Sequence, residues 1–389
     1  MQSKSYPYYP PQLIYKVNKI LKSGKVNYWT GNQGKIFEKE FSKYIGNKYS
    51  VAVSNGSVAL EIALKALNLN KNDQVIVTPR SFIISASCVI NCGLKPVFAD
   101  VDHNGNLSME GIKKVYSNKI KAIIVVHLNG MPCELDPIIK FSKKFKIKII
   151  EDCSQAHGAE YNKRSVGSFG DISTWSFCQD KIITTGGEGG MISTNDKKLW
   201  EKCWSHKDHG KDYYSVFYKK HKLGFKWLHE NYGTNHRMTE FQAAIGRYQL
   251  KYLDTQIKKR NQIAKKVIKS LNLFWDKYNL IEKPNFDLNL NIHAFYRLNF
   301  YINIKRKDKL KLLKSLQSKN VNCNEGPCPE IYKEKVFKKL KVYPNTKLVN
   351  AIKLGRKSFV YHINPFISYN KLNSDIKILK QQLIKYANV

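Results

Sequence analysis

Acidic residues are scarce in this chain of 389 residues, where 30 Asp and Glu stand against 66 Lys and Arg and give a formal net charge of +36. A balance of this kind is typical of proteins that bind nucleic acid or an anionic surface. Here, however, the lysines are scattered through nearly every segment, without a long basic block or an arginine-rich groove signature. We therefore interpret them as solvated faces and expect neither nucleic acid nor a membrane as a partner. The positive field would still attract a substrate that carries a pyrophosphate.

Several other features are missing. No apolar run approaches the ~20 residues needed to span a bilayer, and the first residues, MQSKSYPYYPPQL, lack the apolar core of a signal peptide. The eight cysteines include no C-x-x-C pair and no histidine spacing that would complete a zinc site, so we expect no metal. No G-x-G-x-x-G opens the chain, which disfavours a nicotinamide dinucleotide site. We expect a reduced, cytoplasmic protein.

Short apolar runs alternate with helical patterns over the first part of the chain. Strands are predicted at 51–53, 74–77, 96–101, 122–127 and 147–151, and most are separated by segments with helical periodicity. Alternating strands and helices predict a mainly parallel sheet with helices on both faces. Residues 196–235 are predicted to be a long, less regular stretch, and residues 235–253 a helix. After about residue 258 the pattern changes to a smaller α+β unit, with helices predicted at 263–271, 310–316 and 376–386 and a strand within HAFYRLNFYINI. Asn373 or Ser374 is the expected cap of the last helix.

The segment STWSFCQDKIITTGGEGGMISTN, residues 173–195, places Lys181 and a glycine cluster between two apolar runs that predict strands. A lysine among packed apolar residues has its ammonium partly desolvated, which lowers its pKa and makes the neutral amine available for Schiff-base chemistry with an aldehyde. Taken alone, the segment is more consistent with a solvated lysine on a glycine-rich hairpin.

Two earlier segments favour the catalytic interpretation. In KIKIIEDCSQAHGAE a short strand ends in Asp152, where a carboxylate can hold a protonated pyridine nitrogen, although Asp is also common as a helix cap. In VAVSNGSVALEIALKAL a strand leads to a helix that opens at Gly56–Ser57, and the unpaired N–H groups of a helix start bind phosphate. A phosphate site, a strand-end Asp and a lysine are the three groups that pyridoxal 5′-phosphate needs.

The sequence resembles the DegT/DnrJ/EryC1/StrS sugar aminotransferases of the fold-type-I pyridoxal-phosphate enzymes. The resemblance runs from about residue 25 to 250 and is looser in the C-terminal third. The motifs that carry it are SNGSVAL, TPRSFIISASC, KPVFADVD, IIEDCSQAHGA, GSFGDISTWSF, DKIITTGGEGGMI and YGTNHRMTEFQAAIGRYQL. The resemblance implies an α/β fold-type-I architecture: a large domain, residues 1–255, with a mostly parallel seven-stranded sheet flanked by helices, and a smaller α+β domain, residues 256–389.

The resemblance also assigns roles to individual residues. Lys181 is expected to carry the cofactor and to move the proton, as lysine does in the family's transaminases, whereas histidine at this position marks dehydratases. The remaining expected cofactor contacts are Gly56, Ser57, Phe82, Asp152, Gln155, Ser176 and Asn235. Weaker substrate contacts are expected at Trp29, Thr30, Arg237 and Glu188. His157 is expected to support the site structurally. Asn235 and Arg237 resemble a segment that reaches the neighbouring subunit's phosphate, which implies a homodimer with shared active sites.

These features predict a pyridoxal-phosphate aminotransferase that moves an amino group from L-glutamate to a nucleotide-linked keto sugar for a surface glycan. The donor and the sugar nucleotide are implied by the resemblance alone. One alternative is an aminotransferase for a small phosphorylated ketone or another non-nucleotide keto compound. A remote alternative is a non-catalytic, basic binding or regulatory protein on the same fold. The chain departs from the usual pattern of this family at Asn55-Gly56-Ser57, at the paired Gly186 and Gly187, and at YHINPF. These differences leave the identity of the substrate open.

Overall fold

The structure is a computed structural model, and it describes residues 6–283 and 291–387. The helices of these residues are α1 Pro11–Lys22, α2 Gln33–Ile45, α3 Gly56–Ala66, α4 Ile84–Asn91, α5 Met109–Val115, α6 Asp136–Phe145, α7 Lys197–Lys207, α8 Tyr213–Phe217, α9 Glu240–Lys251, α10 Leu253–Ser270, α11 Asn272–Asp276, α12 Arg306–Ser318, α13 Lys335–Lys339, α14 Val349–Lys357 and α15 Tyr369–Leu383. The strands are β1 Tyr49–Val53, β2 Gln74–Val77, β3 Lys95–Phe98, β4 Ile120–Val126, β5 Lys148–Asp152, β6 Glu160–Tyr161, β7 Arg164–Ser165, β8 Ile172–Ser176, β9 Gly190–Thr194, β10 Arg297–Tyr301, β11 Cys323–Glu325 and β12 Ser358–His362.

The large sheet has seven strands in the order β1-β9-β8-β5-β4-β2-β3. The pairs among β3, β2, β4, β5 and β8 are parallel, and only β9 runs antiparallel to its two neighbours. The carboxyl ends of β1, β2, β4, β5 and β8 therefore meet at one edge, where β9 begins. This arrangement confirms the predicted α/β, mainly parallel architecture.

Both faces of the large sheet are buried, which explains the nearly continuous apolar runs of its strands. Successive residues of β4 show the alternation: Ile123 and Val125 belong to the core on one face, whereas Ala122, Ile124 and Val126 belong to the core on the other. Because side chains alternate along a strand, helices must cover the sheet on both sides.

The C-terminal region has its own three-stranded sheet, β10-β12-β11, which packs with α10, α12 and α15 into a separate core. Residues 331–354 do not pack into this separate core. Their side chains Ile331, Phe337 and Leu354 belong instead to the core on one face of the large sheet. The C-terminal third is thus joined to the large sheet by packing, and the domain boundary at residue 255 stays a prediction.

Several predicted element bounds are wrong. Residues 196–235, expected to be irregular, begin with helix α7, for which the Asp196 side chain accepts hydrogen bonds from the first helical N–H groups. The helix predicted from residue 235 begins at Glu240, after the capping residue Thr239. The last helix is capped by Ser368, not by Asn373 or Ser374, because the Ser368 hydroxyl accepts from the Lys371 N–H.

The predicted C-terminal strand is also shorter than expected: it is confined to β10, Arg297–Tyr301. The helix predicted at 263–271 is part of the longer α10. None of the described helices is both long and apolar enough to cross a membrane.

Candidate active site

The N-terminus of α3 lies at the edge of the large sheet where the parallel strands end. Asn55 caps this helix, since its side chain accepts a hydrogen bond from the Val58 N–H at 2.9 Å. A Cβ on Gly56 would lie 2.6 Å from Cβ of Ser176, at the end of β8, so only glycine lets the helix approach the strand this closely. The positive end of the helix dipole therefore points into the site beside a serine hydroxyl.

Asp152 ends the central strand β5, and its side chain is almost fully buried. One carboxylate oxygen accepts a hydrogen bond from the Ser154 N–H at 3.1 Å, and the other accepts one from the Ser85 hydroxyl at 3.4 Å. The alternative that Asp152 caps a helix does not apply, because no helix begins in the residues that directly follow it. The carboxylate is thus held at the strand tip.

Lys181 lies on the connection between β8 and β9, and its side chain is 17% exposed. Its Nζ lies 3.4 Å from a carboxylate oxygen of Asp180 and donates a hydrogen bond to the Tyr296 hydroxyl, also at 3.4 Å. Gly186 and Gly187 have positive φ angles of 89° and 130°, which let the connection turn back toward β9. The lysine is therefore a positioned side chain and not a freely solvated one.

The backbone around Lys181 is anchored from outside the loop. The Tyr6 hydroxyl donates hydrogen bonds to the carbonyl oxygens of Lys181 and of Ile182, the latter at 2.7 Å. Because Tyr6 also lies over the buried guanidinium of Arg260, with 5.3 Å between the ring centroid and Cζ, the N-terminal arm links the lysine loop to α10.

One cavity of about 760 Å³ brings most of the predicted site residues together. Its walls include Gly56, Ser57, Phe82, Asp152, Gln155, Ser176, Lys181 and Glu188. Phe82 lines this cavity and is 68% exposed, so it is not a core residue. Gln155 is oriented by the Asn129 N–H, which donates to its side-chain oxygen at 2.7 Å.

Four of the predicted contacts are not among the residues that line this cavity. Trp29 and Arg237 both donate to Asp208, a fully buried carboxylate, with N–O distances of 2.7 Å. Thr30 lies beside Trp29, and its hydroxyl bonds within the turn to the Asn27 carbonyl. Asn235 is exposed, and its backbone forms an isolated antiparallel β-bridge with Asp208. Their roles toward a ligand stay predictions.

His157 is fully buried between the rings of Trp175 and Phe177, with centroid distances of 5.4 and 5.6 Å. Burial, with the nearby cations of Lys181 and Arg260, lowers the pKa of His157 to about 3. The ring therefore stays neutral at physiological pH and acts as part of the packed floor beneath the site.

A second buried cluster, His127, Glu151 and Cys153, has ligand atoms within 4.8 Å of one another, as a metal site would. The ring nitrogens of His127 and the carboxylate of Glu151 are already in use, however. The Cys133 N–H donates to Nδ1 of His127, and Nε2 of His127 donates to Glu151 at 3.2 Å. Glu151 also accepts from the N–H groups of residues 167, 169 and 170 at 2.7 to 2.8 Å. This network ties the 166–170 loop to β5 and offers no free lone pair on the histidine.

Sequence reasoning missed the wall of the cavity that the C-terminal third supplies. Tyr296, Arg297 and residues 326–328 line it. The Tyr296 hydroxyl bonds to Asp180, and Arg297 Nη2 donates to that hydroxyl at 3.2 Å. More than one hundred positions separate the two parts of this network along the chain, so no local pattern could have joined them.

Charges around Lys181 are balanced within this network. Burial opposes ionisation of Asp180, but the Lys181 cation, the Tyr296 hydrogen bond and the Arg297 cation outweigh it and lower the pKa of Asp180. Burial raises the pKa of Tyr296, so its phenol stays protonated. The cavity thus presents an ionised Asp180 and a neutral hydroxyl, bonded to each other, beside the Lys181 side chain.

The residues present fit pyridoxal phosphate. The close approach of Gly56 to Ser176 leaves the first N–H groups of α3 turned to the cavity, where a phosphate would bind. Lys181 and Asp152 line the same cavity, as attachment of an aldehyde and pairing with a ring nitrogen require. Phe82 offers an exposed aromatic face for stacking. The volume lies within the range usual for cofactor pockets.

Comparison with known proteins agrees with this fit. A model of the DegT/DnrJ/EryC1/StrS aminotransferase family matches residues 10–378. GDP-perosamine synthase of Escherichia coli O157:H7 is 37% identical over 273 residues, covering 69% of this chain and 72% of that protein. The dTDP-3-amino-3,6-dideoxy-alpha-D-galactopyranose transaminase of Aneurinibacillus thermoaerophilus is 37% identical over 257 residues, covering 66% of this chain and 67% of that protein. An X-ray structure of an aminotransferase from Psychrobacter cryohalolentis matches with a TM-score of 0.94 at 39% identity, over 98% of this chain and 99% of that one.

Proposed function

The chain belongs to the DegT/DnrJ/EryC1/StrS aminotransferase family, and we propose that it transfers an amino group from L-glutamate to a nucleotide-linked keto sugar in the biosynthesis of a surface glycan. As a member of this family it is an aminotransferase that depends on pyridoxal 5′-phosphate. The observation that carries the proposal is that Lys181, Asp152 and the start of α3 line the same cavity. The names of two relatives, which specify a GDP-sugar and a dTDP-sugar, support the substrate class.

Pyridoxal phosphate supplies an aldehyde and a ring that withdraws electrons from the carbon next to the reacting amine. Asp152 would hold the protonated ring nitrogen, because its buried carboxylate is fixed at the tip of β5. The α3 N-terminus and the Ser176 hydroxyl would bind the phosphate. These two contacts would fix the cofactor in the cavity that Lys181 also lines.

Lys181 would provide the amine that holds the cofactor, and the same amine would move the proton on and off the substrate carbon. The hydroxyl of Tyr296 and the carboxylate of Asp180 hold Nζ in place on one side of the cavity. The low exposure of the lysine keeps bulk water from competing for that proton.

The direct test incubates the purified protein with pyridoxal phosphate, L-glutamate and a panel of nucleotide-linked keto sugars. We expect release of 2-oxoglutarate together with an aminated sugar nucleotide, both identified by mass spectrometry. Lys181→Ala should abolish turnover, and Lys119→Ala, at an exposed lysine, is the matched control. A borohydride-reduced cofactor adduct that still forms in the cavity of Lys181→Ala would refute the role of the lysine. Turnover of free keto phosphates alone would refute the nucleotide-sugar substrate.

A second copy of the chain is part of the proposal. Six large side chains of the 213–232 segment are at least 64% exposed, namely Tyr214, Tyr218, Leu223, Phe225, Trp227 and Tyr232. An exposed apolar surface of this kind is typical of an interface. Asn235, which follows this segment, lies outside the cavity of its own chain. We therefore propose a homodimer in which Asn235 of one subunit reaches the cofactor phosphate of the other.

Shared sites can be tested by mixing two inactive variants, Lys181→Ala and Asn235→Ala. If sites are shared, a mixed dimer contains one site with both defects and one with neither, so activity should return to about a quarter of the wild-type value at random exchange. Exchange of subunits without any recovery of activity would refute the shared site.

We also propose that the protein works in the cytoplasm. All eight cysteines are unpaired, which supports a reducing compartment. Fractionation of the producing cells, with the protein detected by antibody, tests this localisation. Recovery in an oxidising extracellular fraction would refute it.

A further inference from the structure

We infer that Arg260 is a positioning residue for Lys181: it joins the end of the small sheet, β10-β12-β11, to the N-terminal arm, residues 6–10, and the arm holds the backbone of the lysine loop between β8 and β9. The arm is thus a strap between the small sheet and the reactive amine. This inference rests on the proposed function, in which Lys181 holds the cofactor. It goes beyond the cofactor contacts, since neither Arg260 nor Tyr6 is among the described residues that line the cavity.

The first argument is the contact between the arm and the lysine loop. The Tyr6 hydroxyl donates to the carbonyl oxygens of two successive residues, Lys181 and Ile182. Both acceptors are backbone atoms, so Tyr6 fixes the main chain from which the lysine side chain starts. The arm continues into α1, where the Gln12 side chain donates to the Tyr248 hydroxyl of α9 at 3.1 Å. The far end of the arm is therefore attached to a helix that packs into the core of the large sheet.

The second argument is that Arg260 binds the end of the small sheet. Arg260 lies in α10 and is 1% exposed. Its Nη1 donates to the carbonyl oxygen of Phe295 at 3.2 Å and to that of Ile363 at 3.0 Å. Phe295 lies just before β10, and Ile363 directly follows β12, the strand with which β10 pairs. One buried nitrogen atom therefore holds two paired strands at the same end of the sheet.

The third argument is the joint between Arg260 and the arm. The Tyr6 ring lies over the guanidinium, with 5.3 Å between the ring centroid and Cζ. A cation over an aromatic face is attracted more strongly when both are removed from water. The rings of Tyr6 and Tyr8 also pack against Phe366, beyond β12, with centroid distances of 6.3 and 5.7 Å. The arm is thus held to the small sheet by a charge and by an aromatic contact.

These contacts form one continuous path from the strand ends through Arg260 and Tyr6 to the backbone of Lys181. A displacement of β10 and β12 would be passed along this path to the reactive amine. A shift of about 1 Å at a reacting group can slow a reaction about 100-fold. If Arg260 only supported the small sheet, its loss would loosen that sheet and leave the lysine loop unchanged. The two roles therefore differ in what happens to the loop.

The test compares the wild type with Arg260→Met, which removes the cation, and with Phe366→Ala, which removes the aromatic contact without touching a buried charge. The matched control is Lys309→Met. Lys309 is also 1% exposed and also donates to a carbonyl of the small sheet, that of Ser358 at 3.1 Å, but its other partner is Glu325 and not the arm.

Two quantities are measured. Hydrogen exchange of residues 177–190 in the cofactor-free protein reports the lysine loop, and stopped-flow absorbance reports the attachment of pyridoxal phosphate to Lys181. In Arg260→Met the loop amides should exchange on the order of tenfold faster, as expected for the loss of one hydrogen-bonded anchor. Attachment should slow about 10- to 100-fold. Phe366→Ala should change both quantities in the same direction by less, and Lys309→Met should change neither.

A double variant tests whether Arg260 acts through Tyr6. Because Tyr6→Phe and Arg260→Met interrupt the same path, the double variant should attach the cofactor at about the rate of the slower single variant. Fully additive effects, wild-type exchange of the loop in both Arg260→Met and Phe366→Ala, or equally fast exchange in Lys309→Met would each overturn the inference. If Arg260→Met does not fold, Phe366→Ala decides alone. The exchange measurement needs no cofactor, so failure of the wild type to attach pyridoxal phosphate would refute the proposed function separately.

Discussion

Replacing Gly56 by alanine tests the tightest contact in the proposed phosphate site. The added Cβ would lie 2.6 Å from Cβ and 3.1 Å from Cα of Ser176. One of these contacts is with the backbone of a central strand, so the helix start and not the strand must move. The N–H groups that face the phosphate would move with it.

The expected change in the free energy of unfolding of Gly56→Ala is the sum of two opposing effects. Overpacking of a dense contact costs about 1–3 kcal/mol. Alanine also restricts the unfolded chain, which stabilises the folded state by about 0.4–1 kcal/mol. The free energy of unfolding of Gly56→Ala should therefore fall by up to about 2.5 kcal/mol. Loss of one charge-assisted hydrogen bond to the phosphate, worth about 1.5–3 kcal/mol, should weaken cofactor binding about 10- to 100-fold.

Denaturant unfolding without cofactor measures the first effect, and titration of the protein with pyridoxal phosphate measures the second. Ser57→Ala is the control, because it removes a hydroxyl at the same helix start without adding bulk. Its unfolding free energy should stay close to that of the wild type, and its cofactor affinity should fall less than that of Gly56→Ala. If Gly56→Ala binds the cofactor with wild-type affinity, α3 does not form the phosphate site.

Three further variants test the surroundings of the cavity. Glu151→Gln should lower the free energy of unfolding by about 3 kcal/mol near neutral pH, because it removes a buried, fully hydrogen-bonded carboxylate. Hydrogen bonds to its ionised form outweigh the effect of burial and lower the pKa of Glu151 in the folded state. The loss of stability in Glu151→Gln is therefore expected at pH values above the pKa that Glu151 has in the unfolded chain. It should vanish as the pH falls through the lower pKa of Glu151 in the folded protein. Equal losses at neutral and acidic pH would contradict it. Asp208→Asn should free Arg237 and reduce stability by about 2 kcal/mol, as measured by urea unfolding. A wild-type urea midpoint would contradict this. Tyr6→Phe should reduce stability by about 1 kcal/mol and slow attachment of the cofactor to Lys181, because the carbonyls of Lys181 and Ile182 lose their hydrogen-bond donor. The attachment rate is measured by stopped-flow absorbance. An unchanged rate would show that the N-terminal arm does not position the lysine.

The local elements of the large sheet were predictable because each carries its own pattern. The apolar runs at β2, β4 and β5 are short and bounded by polar residues, and the helix start at Gly56 has a capping residue and a glycine at the required positions. Element ends were predicted less well. The start of the last helix at Ser368 depends on a hydroxyl that caps it, and serine and asparagine at neighbouring positions are equally plausible caps in the sequence.

What the sequence determined by itself was the chemistry: a lysine on a glycine-rich connection, a strand-end carboxylate and a helix start, each recognisable from its neighbours in the chain. Only the tertiary structure decided which other side chains surround the lysine. Tyr296 and Arg297 reach it because the small sheet packs over the edge of the large one, and Tyr6 reaches its backbone from the opposite end of the chain. Contacts between distant segments depend on how the sheets pack against each other, and no local spacing records that geometry.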